Sequence, residues 1–265
     1  MKGAWTLSMQ NESAARGACI LAFDTANEVV AVGVGMYTEA PGGDPENPTF
    51  GMVPLACREI PAHRASNTIL LNEVDATLAE AGVPKGDVAA VVCGRGPGSF
   101  TGVRIGVAAA KGFSWGRELP CYGVSTLEAM ARGAAGFAGV FCCCMDARRA
   151  QVYNAVFEKT GSELVRLRED RAISLDDLCE DLQNIEKPIF LVGDGAELCY
   201  TTLLERLPQL TLLPEHLRQQ RASGVALAAW EKIRRGESGN AASLVPNYLR
   251  LSQAERARLE KTKTE

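Results

Sequence analysis

Histidine is nearly missing from this chain: His63 and His216 are the only two in 265 residues. A catalytic zinc site draws two or three His or carboxylate ligands from local spacing. His63 has Asn67 four residues on where a second histidine would stand, and His216 sits in a polar segment. No metal is assigned to either. No Gly-x-Ser-x-Gly elbow is present, so a Ser-His-Asp triad has little support. No Cys-x-x-Cys pair occurs among the nine cysteines, which argues against a zinc ribbon or a thioredoxin-type centre. Cys19, Cys93, Cys121 and the triplet Cys142, Cys143, Cys144 lie in apolar runs and read as small buried thiols in a reducing compartment. A membrane helix needs a run of about 20 apolar residues, and none occurs. Residues 1–17 are polar and small, with no signal-peptide run. The expectation is a cytoplasmic protein without membrane contact, opening with a frayed extension. A basic excess is also lacking: the formal net charge is -4. Phosphate neutralisation supplies most non-specific nucleic-acid affinity, so any RNA contact is expected to run through a partner.

What is present is an ordinary globular balance, 46% hydrophobic and 23% charged. That fills two lobes of about 100 to 130 residues each. Cys19 to Asp24 predicts a short apolar strand ending in a carboxylate, joined through Thr25-Ala26-Asn27-Glu28 to a strand over Val29 to Val34. Pro41 to Pro54 reads as a surface loop and Leu55 to Ile60 as a third strand. Leu70, Val74 and Leu78, widened by Ile69 and Leu71, predict an amphipathic helix over Ala65 to Ala81. Val88 to Cys93 predicts a strand covered on both faces. A helix to Arg117 and a strand over Pro120 to Val124 follow, and Ser125-Thr126-Leu127-Glu128 reads as a capping box.

The second half repeats the theme. Gly139 to Met145 is a buried strand ending in Asp146, with Gln151 to Phe157 beside it. Helices are expected over Ser174 to Leu182, Glu197 to Arg206 and Ser223 to Arg235, and a strand over Ile189 to Val192. The twofold pattern predicts two related α/β lobes with mixed central sheets. Their expected bounds are 18–125 and 126–242, followed by a helical tail over 243–265.

The strongest motif runs from Gly94 to Gly106. Gly98, Gly102, Gly106 and Ala110 recur every four residues and line one helical face, flanked by Val103 and Val107. Glycine inside a helix costs about 1 kcal/mol against alanine, so the face needs a reason. It packs either on another subunit or on the chain's own sheet. A phosphate cradle is a third use of strand, glycine turn and helix, but the third glycine of the dinucleotide fingerprint and the Lys of a P-loop are both missing. Asp24 and Asp146 end buried strands and could serve a metal–phosphate or a turn. Gly193-Asp194-Gly195-Ala196 could pass a nucleotide closely or merely turn the chain.

These residues resemble the TsaB family. Ile20 to Ala26 is similar to its opening strand, and Gly94-Arg95-Gly96-Pro97-Gly98-Ser99-Phe100-Thr101-Gly102 follows its glycine signature almost letter for letter. Val124 to Ala129, Asp146-Ala147-Arg148-Arg149 with Val152-Tyr153, and Pro246-Asn247-Tyr248-Leu249-Arg250 resemble further family motifs. The resemblance implies an ASKHA fold, the two-lobed architecture of actin and hexokinase. It also implies a non-catalytic subunit that pairs with a TsaD-like catalytic subunit and a TsaE-like ATPase. In that complex threonylcarbamoyl moves from its adenylate to the tRNA adenosine next to the anticodon.

Carried over, the pairing surface comprises Asn67, Leu70, Leu71, Val74 and Leu78 on one helix and Gly102, Val103, Gly106, Val107 and Ala110 on the next. Alone, the chain is expected to form a homodimer through that surface. TsaD holds its metal through an HxxxH helix, and His63 to Asn67 lacks the second ligand. No cofactor is expected, and Glu28 in the turn after Asp24 would repel a triphosphate. The competing reading is an independently active ASKHA phospho- or carbamoyl-transferase. It would use Asp24 and Asp146, with Thr25, Gly193 and Gly195 around a nucleotide. A small-molecule-binding α/β protein using the Gly94 turn is the remaining alternative.

Overall fold

The computed structural model describes residues 18–39, 50–62, 66–134, 136–161 and 163–250. The expected N-terminal extension, His63 and the tail beyond Arg250 lie outside the described residues, as does most of the expected Pro41–Pro54 loop. The end of that loop proves to be strand, because β3 begins at Phe50.

The first sheet is built from β1 (Ala18–Asp24), β2 (Val29–Glu39), β3 (Phe50–Pro61), β4 (Val88–Gly94) and β5 (Cys121–Val124), in the order β3-β2-β1-β4-β5. The second contains β6 (Gly139–Asp146), β7 (Gln151–Thr160), β8 (Glu163–Ser174), β9 (Ile189–Val192) and β10 (Leu210–Leu212), in the order β10-β9-β6-β7-β8. The two orders are the same topology twice. Each opens with an antiparallel meander and then adds two parallel strands on the far side of its first strand. Two mixed sheets related in this way are the two α/β lobes expected from the twofold sequence pattern and the ASKHA architecture that the family resemblance implies.

The central strands read as unbroken apolar runs because both faces are covered. In β1, Leu21 and Phe23 face one core and Ile20 and Ala22 the other. Helices α1 (Ser66–Glu80) and α2 (Phe100–Trp115) cover the first face. Helix α7 (Ala222–Arg234), from the far end of the second half, covers the other, with Val225 and Ala229 against Ile20, Ala90 and Val92. In the second sheet Val140, Cys142 and Cys144 face α4 (Leu175–Leu182) and α5 (Ala196–Leu203). Phe141, Cys143 and Met145 face α3 (Thr126–Ala134). A short helix α6 (Glu215–Arg218) leads back to α7.

The inner helices α3 and α7 therefore cross between the sheets. Gly224 makes the crossing possible: a Cβ there would sit inside contact distance of the Ala129 carbonyl and 3.1 Å from the Gly133 nitrogen. All three cysteines of the Cys142–Cys144 triplet are buried and free, as their apolar run implied. The hydrogen bond with Cys144, then burial, holds the Cys142 thiol well above its usual range, and burial does so for Cys143. At Cys144 the lowering bond with Cys142 is outweighed by Cys199 and burial, so all three act as core packing.

Two strands escaped the sequence pattern. β8 is the edge of its sheet and carries Arg166, Arg168, Asp170 and Arg171, the charged dress that blunts an edge and hides its period. β10 is three residues long.

Candidate functional site

The two lobes meet at the carboxyl ends of β1 and β4. There Asp24 leaves its strand with a carboxylate that is 0% exposed. One oxygen accepts from the Ala26 nitrogen and the other from the Thr126 hydroxyl, each at 2.8 Å. The side chain occupies the space that Gly94 leaves by having none. Burial pushes the carboxyl up to about 6, against the pull of those hydrogen bonds.

The sign of the consequence is fixed. A carboxyl raised in the folded state binds its proton more tightly there, so stability falls as pH rises from about 4 through about 6. Asp24→Asn should remove that slope. Its unfolding free energy relative to the parent should improve by about 3 kcal/mol between pH 4 and pH 7. Denaturant titrations of both proteins across that range measure it, and a constant difference would reject the assignment.

The glycine stripe grips the turn after Asp24. The Thr25 hydroxyl donates to the Gly102 carbonyl at 2.7 Å, and the Ser99 nitrogen to the Ala26 carbonyl at 2.6 Å. A Cβ on Gly102 would strike the Thr25 carbonyl, one on Gly106 would lie 2.6 Å from Thr25 Oγ1, and one on Gly98 would meet Ala26. Gly98, with φ 155°, stands in the turn before α2 and not on its face, so the spacing of Gly98, Gly102 and Gly106 is the footprint of Ala26 on that turn and of Thr25 on the helix.

This corrects the expected pairing surface. Gly102, Val103, Gly106, Val107 and Ala110 are buried in the chain's own core, and so are Leu70, Val74 and Leu78. A helix lying on a sheet must bury one stripe, and the apolar and glycine positions are that stripe. Of the residues named for pairing only Asn67 and Leu71 face outward, Leu71 at 61% exposure. They share the outer surface with Thr101, Arg104, Ala108 and Trp115 of α2, the last at 74%.

The residues named for a nucleotide are also accounted for by packing. Asp24 and Thr25 are fully buried. Asp146 accepts from the Arg148 nitrogen at 2.7 Å and pairs with its guanidinium at 3.1 Å, capping its own turn. Gly193 has φ 102° and presses on the Cys144 carbonyl, which the Gly195 nitrogen bonds at 3.0 Å. Both glycines close β9 onto the end of β6. Among the described residues no three His, Cys, Asp or Glu side chains are grouped to hold a metal.

Two members of the junction went unread in the sequence. Thr126 looks like part of a cap, and half of that cap exists: Ser125 Oγ accepts from the Glu128 nitrogen at 3.2 Å. The Glu128 carboxylate, however, turns to Arg132 and Arg166, and the Thr126 hydroxyl to Asp24. Gln220 is buried and donates to the carbonyls of Asp24, at 3.2 Å, and Val29, at 2.5 Å. No local pattern marks it, since its partners lie 196 and 191 positions away.

A family model described as "TsaD: tRNA N6-adenosine threonylcarbamoyltransferase" matches residues 46–258. The tRNA threonylcarbamoyladenosine biosynthesis protein TsaB of Bacillus subtilis is 33% identical over 178 residues, 67% of this chain and 76% of that protein. TsaB of Escherichia coli is 34% identical over 179 residues, 66% of this chain and 71% of its own length. Among solved structures, YeaZ from Pseudomonas aeruginosa superposes with a TM-score of 0.63 at 25% identity, covering 88% of this chain and 100% of that one. A second Pseudomonas aeruginosa structure, titled as an uncharacterized protein with similarity to peptidase YEAZ, gives 0.67 at the same identity and coverage. With this glycine signature on this two-lobed frame, the chain belongs to the family that the TsaD model describes and, within it, to the TsaB proteins of tRNA threonylcarbamoyladenosine biosynthesis.

Proposed function

We propose that the chain works in the cytoplasm as a non-catalytic subunit that holds a TsaD-like transferase in its working assembly. In this reading it pairs with that subunit through the outer faces of α1 and α2, and a TsaE-like ATPase joins the pair. Threonylcarbamoyl then passes from its adenylate to the tRNA adenosine next to the anticodon, with tRNA contacting this chain only through the complex. The observation that carries the reading is the pair of large apolar side chains, Leu71 and Trp115, left in solvent on adjacent helices whose inner faces are fully used. A contiguous exposed apolar surface marks a protein contact, and in this reading Leu71 and Trp115 are two anchors of one. In the absence of the partner the same surface closes on a second copy as an isologous dimer.

The sealing of Asp24 speaks against the independent transferase, because a carboxylate spent on Thr126 and Ala26 has no face for a metal–phosphate. Size-exclusion chromatography with light scattering decides between the readings. The chain is run alone, with a TsaD-like subunit, and with that subunit plus a TsaE-like ATPase and ATP. Conversion of a homodimer to a one-to-one heterodimer is expected. A monomer indifferent to the transferase, with magnesium-dependent nucleotide turnover of its own, would replace the scaffold with the enzyme.

A further inference from the structure

The stretch from Leu244 to Arg250 has no regular secondary structure, yet its side chains and backbone reach both lobes. Leu244 is buried on β5, where it fills the space that Gly123 leaves open. The Asn247 nitrogen donates to the Arg95 carbonyl at 2.7 Å, and the Asn247 carbonyl lies 3.0 Å from where a Cβ on Gly96 would stand. Tyr248 stacks on Phe100 of α2 at 4.7 Å between ring centroids and takes a hydrogen bond from Arg104 at 2.9 Å. Those attachments belong to the first lobe.

The remainder belong to the second. The Asn247 side-chain nitrogen donates to Asp170 of β8 at 3.3 Å, and Arg250 donates to the Ala147 carbonyl in the β6–β7 turn at 2.6 Å. Asp170 is itself fixed. Its other oxygen takes the Ser125 hydroxyl at 2.9 Å and Arg166 at 2.7 Å, and Arg166 reaches Glu128 of α3 at 3.0 Å. Asn247 is thus the point where a polar chain from α3 and β8 meets the glycine turn after β4.

We infer that residues 244–250 are a clasp: by bonding to the strand ends of both sheets at once, they hold the two lobes at one fixed spacing. The position is the crevice outside the carboxyl ends of the strands, where open α/β sheets take their ligands, and here the chain's own backbone runs through it. Without the clasp, the lobes would be joined at the crossing of α3 and α7 and at the Asp24 junction beside it, and would keep freedom to hinge there. A further attachment, tied through Asp170 to Ser125 at the start of α3 and through Arg250 to the β6–β7 turn, restricts that freedom. Every contact in the clasp is within one chain, and it shares with the pairing proposed above only Arg104, which stands on the outer surface of α2 and holds Tyr248.

The test is hydrogen–deuterium exchange on the full chain carrying Asn247→Ala and Arg250→Ala together. The amides to follow touch no residue of the clasp: Ser99, bonded to the Ala26 carbonyl in the first lobe, and Gly195, bonded to the Cys144 carbonyl in the second. Loss of the two side-chain attachments should quicken exchange at both, one in each lobe, by about tenfold. Faster exchange confined to residues 244–250, or to one lobe alone, would overturn the inference. Should the double variant fail to fold, Asn247→Ala alone breaks the bond to Asp170 while keeping the backbone bond to Arg95. It is expected to move both amides in the same direction, by about threefold, and unchanged rates at either would count against the clasp.

Discussion

Gly102→Val is expected to destabilise the isolated chain, with no partner present. The Cβ alone would overlap the Thr25 carbonyl, which is backbone and is held on one side by the Asp24–Ala26 hydrogen bond and on the other by the β1–β2 pairing. Neither side yields without moving the sheet, and the branched side chain adds bulk where Ser99 also crowds. The substitution also threatens the bond from the Thr25 hydroxyl to the Gly102 carbonyl. Overpacking of this kind costs about 3 kcal/mol or more, which lowers Tm by roughly 6 to 12 °C in a chain of this size. Scanning calorimetry of the isolated protein measures it. An unchanged Tm together with lost pairing would return the glycine stripe to a partner surface and would mean that α2 can rotate on its sheet.

The opposite result is expected on the outer face. Leu71→Glu combined with Trp115→Glu removes two large apolar side chains that touch little in the free chain. Surface changes away from caps and buried networks stay within about 0.5 kcal/mol of the parent, so Tm should hold. Pairing should weaken about 100-fold or more, the scale at which one or two buried anchors carry an interface. Titration calorimetry against the TsaD-like subunit, or light scattering of the homodimer over concentration, reads the loss. Undiminished affinity with both glutamates in place would remove α1 and α2 from the interface. Together the two variants separate what the helices do inward from what they do outward.

The contrast shows how far local pattern reaches. The four-residue recurrence of Gly98, Gly102, Gly106 and Ala110 is legible in the sequence, and so is the need for something to approach it closely. What approaches is not legible. A helix of another subunit and the turn at Thr25 ask for the same small residues, and only the arrangement of β1 against α2 chooses the turn. Leu70, Val74 and Leu78 present the same difficulty, because apolar spacing marks the buried stripe whether the burial is within a chain or between chains. Leu71 sits beside that stripe and shares its apolar character, although it is the residue that solvent reaches. Asp24 and Asp146 match by position, at the ends of equivalent strands, and the structure gives them different surroundings: one fully buried against Thr126, the other partly open beside Arg148.

By itself the sequence determined the repeating strand–turn–strand plan, the central strands, the helices that follow them and the family to which the glycine signature belongs. Those properties rest on the period of apolar residues and on turn chemistry, which act over a few residues and leave their mark in order along the chain. The tertiary structure alone decided that α7 returns to cover the first sheet, that Gln220 and Thr126 seal Asp24, and that residues 244–250 join both lobes. Each of these contacts joins positions far apart in sequence, so their pairing depends on which surfaces the assembled sheets bring together.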